Sequence, residues 1–208
     1  MIIIIDYGLG NLGSVKNALN KLGVDSIISN SIKVITAGSG LILPGVGSAS
    51  EGMKNLRKSG LDKLIIKQVK NKKPILGICL GMQLLFSSSE EGNTRCLNVI
   101  EGKVKKFNNK LKVPQIGWNQ VQIQNSKVKN IFNQISNDSY FYFVHSYYCI
   151  PTDENINIGM TNYGINFCSA IEDKNVFGVQ FHPEKSGKDG LKLLKNFIDI
   201  VYANNTGN

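Results

Sequence analysis

At 208 residues the chain is long enough to bury a sizeable core, and its length fits one domain over residues 1–208. Hydrophobic residues make up 42%, yet no apolar run reaches the length of a membrane span, and the start Met1-Ile2-Ile3-Ile4-Ile5-Asp6 lacks the basic region of a signal peptide, so a soluble cytoplasmic protein with no membrane partner is expected. The net charge of +9 comes from scattered lysines, with Arg57 and Arg95 the only arginines and no aromatic-interleaved basic stripe, which excludes an obvious nucleic-acid surface but suits steering of a phosphorylated substrate or an acidic partner.

Residues 1–5 form a continuous apolar run, the pattern of a parallel strand covered on both faces. Leu12, Val15, Leu19 and Leu22 then mark a helix ended by Gly23, which makes a βα unit. Between them, Gly8 to Gly13 matches G-x-G-x-x-G. Asp25 follows too soon to be the ribose-binding acid of a dinucleotide site, so the stretch reads as a tight strand-to-helix turn. Residues 24–28 and 40–43 read as two further strands, the latter stopped by Pro44. The glycines of Pro44-Gly45-Val46-Gly47 permit unusual backbone angles, and Ser48 or Ser50 can cap the helix that carries Met53 and Leu56. Such a loop is either an ordinary βα turn or half of an oxyanion hole.

A helix over residues 61–69 leads to a short buried strand, 75–78, and a second helix follows from Leu80 to Phe86. Cys79 falls on the turn between strand and helix, flanked by Gly77 and Gly81, in the manner of the Gly-x-Ser-x-Gly nucleophile elbow with sulfur in place of oxygen. The helix N-terminus favours a thiolate there. The competing reading is a small core cysteine, because cysteine is among the most buried residue types. Cys79, Cys96, Cys149 and Cys168 show no C-x-x-C spacing and the chain has two histidines, so free thiols and no metal site are expected.

Beyond residue 86 the strand-helix alternation stops. A polar loop (87–93) precedes short strand-like pieces at 99–107, 117–123, 140–144, 156–161 and 167–171, which fit antiparallel additions to a mostly parallel sheet with helices on both faces. His145 follows an aromatic strand with no acid nearby and reads as packed or substrate-adjacent. His182 is the better base: Pro183 holds it extended, and Glu184 two residues on can reach its ring and fix the tautomer. A last helix carries Leu191, Leu194, Ile198 and Val201.

The blocks Asp6-Tyr7-Gly8-x-Gly10-Asn11, Pro44-Gly45-Val46-Gly47, Gly77-Ile78-Cys79-Leu80-Gly81-Met82-Gln83, Gly117-Trp118-Asn119, Phe143-Val144-His145-Ser146-Tyr147 and Gln180-Phe181-His182-Pro183-Glu184-Lys185-Ser186 resemble those of the class I (triad) glutamine amidotransferases, and within that family the glutaminase branch of imidazole glycerol phosphate synthases. The resemblance implies a three-layer, flavodoxin-like α/β fold and no cofactor. It implies Cys79 as nucleophile, His182 as acid/base and Glu184 as its partner. An oxyanion hole of Val46, Gly47 and Leu80, and glutamine contacts from Gln83, Ser146 and Tyr147, complete the implied site. It further implies a heterodimer with a (βα)8-barrel cyclase subunit that takes up the ammonia, with Trp118, Asn119, Tyr142 and Lys185 near the interface. Where many members carry His-Met, this chain has Gln115-Ile116, which leaves the ammonia acceptor open between the histidine pathway and amidination of a surface-polysaccharide sugar. Two readings from other classes are a non-catalytic regulatory subunit and a stand-alone cysteine hydrolase; Gln83 and the separate His182/Glu184 segment speak against the second.

Overall fold

Strand β1 (Ile2–Ile5) has four isoleucines with no exposed surface, and the period of two of a strand sends Ile2 and Ile4 to one apolar cluster and Ile3 and Ile5 to another. That split defines the layers of this computed structural model, which describes residues 1–108, 112–124 and 131–205. In chain order there follow α1 (Leu12–Lys21), β2 (Ser26–Ser29), α2 (Ile32–Ala37), β3 (Gly40–Gly45), α3 (Ala49–Ser59), α4 (Leu61–Lys70), β4 (Ile75–Cys79) and α5 (Leu80–Leu85). The second half holds β5 (Ser88–Ser89), β6 (Thr94–Arg95), β7 (Gly102–Lys106), β8 (Gln115–Ile123), β9 (Ser139–His145), β10 (Tyr147–Pro151), β11 (Asn157–Asn162), β12 (Asn166–Asp173), β13 (Val176–Val179) and α6 (Gly187–Asn205).

The central strands run β2-β1-β3-β4-β13, all paired in parallel. On one face lie Val15 and Leu19 of α1 with Leu194, Phe197, Ile198 and Val201 of α6; on the other lie Ile35 of α2, Met53 and Leu56 of α3, Ile65 of α4 and Leu84 of α5. Each fully buried side chain of this kind contributes about 1.5–3 kcal/mol. The expected α/β architecture, mostly parallel with helices on both faces, is therefore the observed one. Among the described residues no helix is long and apolar enough to cross a membrane.

From β13 the sheet continues antiparallel through β12, β10 and β7, while β11 branches from β12 and carries the long β8–β9 ribbon. Two local expectations are corrected, and one helix was not foreseen. Pro44 does not stop its strand, since β3 runs on to Gly45. Leu41 N–H donates to Pro74 O of the β4 side, so the N–H that proline lacks would point toward β1, whose pairing with β3 already ends at Ile42. The polar loop 87–93 contains β5, which pairs in parallel with β7, and a 3-10 turn at Glu91–Asn93. Helix α2, rich in β-branched residues and only six long, is not announced by its sequence; burial of Ile35 against the sheet outweighs its weak propensity.

Ser48 is the cap of α3, its Oγ accepting from Glu51 N–H at 3.3 Å, and Gly60 closes the same helix at φ 71°. The turn at Gly8 to Gly13 is built from Gly8 at φ 83° and Gly10 at φ 127°, with Gly8 N–H donating to Asp6 Oδ1 at 3.0 Å before α1 starts.

Candidate active site

Cys79 is the last residue of β4 and directly precedes α5, at φ 54° and ψ −111°. A non-glycine residue in that region costs about 1–3 kcal/mol and persists only where its surroundings hold it. The hold comes from close packing on both sides of the turn. A Cβ added at Gly77 would lie 2.7 Å from Met82 N, one at Gly81 would lie 1.7 Å from Leu43 O, and one at Gly45 would lie 2.5 Å from the Tyr7 hydroxyl. The turn can therefore bend sharply enough to bring the sulfur to the end of the sheet.

Strand register brings the rest of the site to that same end. Gly45 pairs with Cys79, so the next residues, Val46 and Gly47 (φ 99°), sit beside the elbow. Val179 of β13 pairs with Ile78, so Gln180 and then His182 emerge on the opposite flank. A cavity of about 280 Å³ opens there, of a size for an amino acid rather than a larger ligand. Val46, Gly47, Cys79, Leu80 and Gln83 form part of its wall, with Ser146, Tyr147, His182 and Lys185.

His182 Nδ1 lies 2.9 Å from Glu184 Oε1. His182 is extended (φ −102°, ψ 93°) as the following proline demands, but Pro183–Lys185 is a 3-10 turn, and that turn rather than a strand swings the carboxylate back to the ring. Backbone bonds fix the segment: His182 N–H donates to Tyr142 O at 2.9 Å, Ser186 Oγ–H donates to His182 O at 2.6 Å, and Tyr142 N–H donates to Ser186 Oγ at 3.0 Å. Burial pushes the His182 imidazole down, but hydrogen bonds with Cys79 and Glu184 and the charges of both outweigh it and lift it to about 10. With Nδ1–H donated to the carboxylate, Nε2 is the nitrogen left for the sulfur, and a protonated ring there stabilises a thiolate.

His145 is a different kind of histidine. Its Nδ1 is 2.7 Å from Tyr147 O and its Nε2 is 2.9 Å from the Gln115 side-chain amide, so both ring nitrogens are engaged away from the sulfur. Phe107 meets the ring edge-on at 5.3 Å. Burial pushes it down to about 4, only partly opposed by the Tyr147 carbonyl, so it is neutral at physiological pH. The sign of the linkage follows: below about pH 6.5 the unfolded chain takes up a proton that the folded one refuses, and stability falls as pH drops toward 4. Between pH 7.5 and pH 5 the wild type should lose about 2 kcal/mol more than His145→Leu. Urea melts of both proteins across that range read the difference directly, and parallel curves would refute the assignment.

The remaining expected positions divide. Trp118 is exposed and meets Tyr142 edge-on at 6.0 Å across the β8–β9 ribbon. Asn119, one residue on, points elsewhere and donates from Nδ2 to Asn162 O at 2.8 Å. Glu184 stands behind His182, away from the cavity, with Oε2 buried and unpartnered. Glu91, Pro114 and Val144 complete the wall without having been expected there, and His145, read as packed or substrate-adjacent, lies on it too. Glu91 Oε2 accepts from Ala49 N–H at 2.6 Å, a carboxylate at the N-terminus of α3 that sequence distance concealed.

The four cysteines carry no disulfide. Burial pushes the Cys168 thiol up to about 12, Cys96 up to about 11 and Cys149 well above the usual range. Among the described residues, Cys79 is the cysteine that lies on the wall of this cavity, with the His182 imidazole beside it.

A family model described as "Glutamine amidotransferase class-I" matches residues 3–201. The chain is 50% identical over 202 residues to imidazole glycerol phosphate synthase subunit HisH 2 of Methanococcus maripaludis, covering 95% of this chain and 98% of the relative. It is 47% identical to subunit HisH of Dehalococcoides mccartyi, covering 97% and 98%. Among solved structures it is similar to PurLQS from Thermotoga maritima, at 18% identity and a TM-score of 0.72 over 96% of this chain and 98% of that one. The glutaminase domain of Trypanosoma brucei CTPS is similar at 18% identity and a TM-score of 0.66, over 95% and 93%.

Proposed function

Because the chain belongs to the class-I glutamine amidotransferases, we propose that it is the glutaminase subunit of an imidazole glycerol phosphate synthase, hydrolysing L-glutamine and passing the ammonia to a (βα)8-barrel cyclase in histidine biosynthesis. The observation that carries the chemistry is Cys79 and His182 together on the wall of one cavity, with the Glu184 carboxylate behind the histidine at 2.9 Å from Nδ1. The high identity to HisH subunits over nearly their whole length supports the choice of synthase.

In this reading the Cys79 thiolate attacks the side-chain amide carbon of glutamine, a C–S bond forms, and the carbonyl electrons move to oxygen. N–H groups of Leu80 and of the Val46–Gly47 segment hold that oxyanion. His182 gives its proton to the departing nitrogen, which leaves as ammonia, and the neutral ring then takes a proton from the water that clears the thioester. Glutamate departs and the thiolate–imidazolium pair returns. Both N–H groups of Gln83 are used inside the protein, on Tyr147 O at 3.1 Å and Gln180 Oε1 at 3.0 Å, so Gln83 offers a ligand its Oε1, an acceptor matched to the substrate ammonium. Ser146 and Tyr147 line the same pocket.

Free ammonia in neutral water is mostly protonated and no longer nucleophilic, so the product must pass to a docked partner. One face of the β8–β9 ribbon carries Ile116, Trp118 and Tyr140, all exposed, with Tyr142 paired to Trp118. We assign the cyclase to that face, with Lys185 on the cavity wall and Asn119, bonded to β11, supporting the ribbon that carries it.

Amidination of a surface-polysaccharide sugar remains a second reading, favoured by Gln115-Ile116 at the base of the ribbon. The deciding experiment pairs the chain with each synthase and follows glutamate release. Stimulation by the ribulosyl nucleotide intermediate bound to the cyclase supports the first reading. Stimulation only by a nucleotide-sugar enzyme moves the assignment to the second, and no turnover with either would leave a non-catalytic subunit.

A further inference from the structure

Gln180 is fully buried at the end of β13, beside the nucleophile that ends β4, and none of the steps from thiolate attack to glutamate release uses it. Its Nε2 lies 3.6 Å from Cys79 Sγ, within hydrogen-bond range for sulfur. The direction of its amide follows from a chain of donors and acceptors. The Tyr147 carbonyl can only accept, so the end of Gln83 that meets it is the NH2. The second N–H of that group donates to Gln180 Oε1, and this turns the Gln180 NH2 to the sulfur.

We infer that Gln180 is a further catalytic residue, an N–H donor that stabilises the Cys79 thiolate, with its amide orientation set by Gln83 and Tyr147 of the glutamine pocket. The inference rests on Cys79 being the nucleophile. The physical need is clear from a second contact of the sulfur: Val144 O is also 3.6 Å away and accepts from the thiol, which favours the protonated form. An N–H donor to the same sulfur offsets it, and a hydrogen bond to a charged acceptor is about twice as strong as one to a neutral group. The arrangement also links substrate to nucleophile, because a glutamine that moves Gln83 or Tyr147 alters the donor on the sulfur.

The other titratable groups around Cys79 are His182 with Glu184 behind it, the buried and un-ionised Tyr7 hydroxyl, the buried Cys149 thiol, and Glu91, His145, Tyr147 and Lys185 on the cavity wall. All of them stay in place in a Gln180 variant, so a shift in the Cys79 titration is attributable to the lost donor. The test is the pH dependence of alkylation of Cys79 by iodoacetamide, read by mass spectrometry of the Cys79 peptide in the full-length chain. In Gln180→Met the midpoint should move up by about one pH unit. Gln83→Met, which leaves Gln180 in place but frees its amide to turn, should move it in the same direction by less, and serves should Gln180→Met not fold. A folded variant of either kind with an unchanged midpoint overturns the inference, since a merely structural role lowers the melting temperature without moving the titration. A wild-type Cys79 that resists alkylation at every pH would instead overturn the nucleophile assignment beneath it.

Discussion

Cys79→Ala is expected to remove glutamine hydrolysis by the complex with its synthase, a loss of roughly 10⁴-fold or more, while the chain still folds and binds its partner. In the proposed reaction the sulfur is the atom that forms the covalent bond, and neither a methyl group nor a water held in its place would be positioned and polarised as a thiolate is. Folding should survive because alanine fits the space of the cysteine, and the strained φ of 54° is imposed by neighbouring glycines rather than by the sulfur. His182→Asn should cost nearly as much, because nucleophile and base act as a unit and their losses do not add. His145→Asn should cost far less, both of its ring nitrogens being engaged with Tyr147 and Gln115. Steady-state glutamate release by the three variants, measured with the partner present, orders them; His145→Asn falling below His182→Asn would exchange the roles of the two histidines.

Gly81→Ala should be the most damaging single methyl group in the chain. Its Cβ would lie 1.7 Å from the Leu43 carbonyl oxygen and 2.7 Å from its carbon, and neither is the end of a side chain that can swing aside. Leu43 belongs to β3 in the middle of the parallel sheet, and Gly81 to the first turn of α5, so relief requires the helix to leave the sheet. A loss beyond about 4 kcal/mol is expected, enough to consume much of the stability of a domain of this size. Gly13→Ala is the control. Gly13 lies on the exposed side of α1 with nothing within 4 Å of the added Cβ, and alanine there should raise stability by about 0.5–1 kcal/mol. Denaturant melts of the two variants should move in opposite directions, and a Gly81→Ala protein of near-native stability would show that the elbow yields easily to an added methyl group.

The first half of the chain was readable because its elements are local and strongly patterned. Ile2–Ile5, the stripe through Val15 and Leu19, and the apolar run ending at Cys79 each state their own period, and helices alternating with strands leave a parallel sheet as the simple solution. Where a long-range partner decides the outcome the reading slips. Pro44 continues its strand because β1 has already ended beside it, and Ser88–Ser89 becomes a strand because β7 lies alongside. Neither fact is visible within a few residues of the position concerned.

The candidate site shows the same division. By its own residue types and spacings, the chain determined that a cysteine stands on a strand-to-helix turn between two glycines, and that one of its two histidines has a carboxylate two residues away and a proline between. Only the tertiary structure decided that these meet: the parallel pairing of β4 with β13 carries residue 79 and the segment after residue 179 to the same sheet end, though about a hundred positions of chain separate them. It also decided the surroundings of the sulfur, because Gln180 and Val144, though they stand in the blocks quoted for the resemblance, carry no charge that marks them as neighbours of the sulfur and act only through where they lie. Composition and period are properties of neighbouring residues, whereas the placement of donors and acceptors around one atom is a property of the packed sheet.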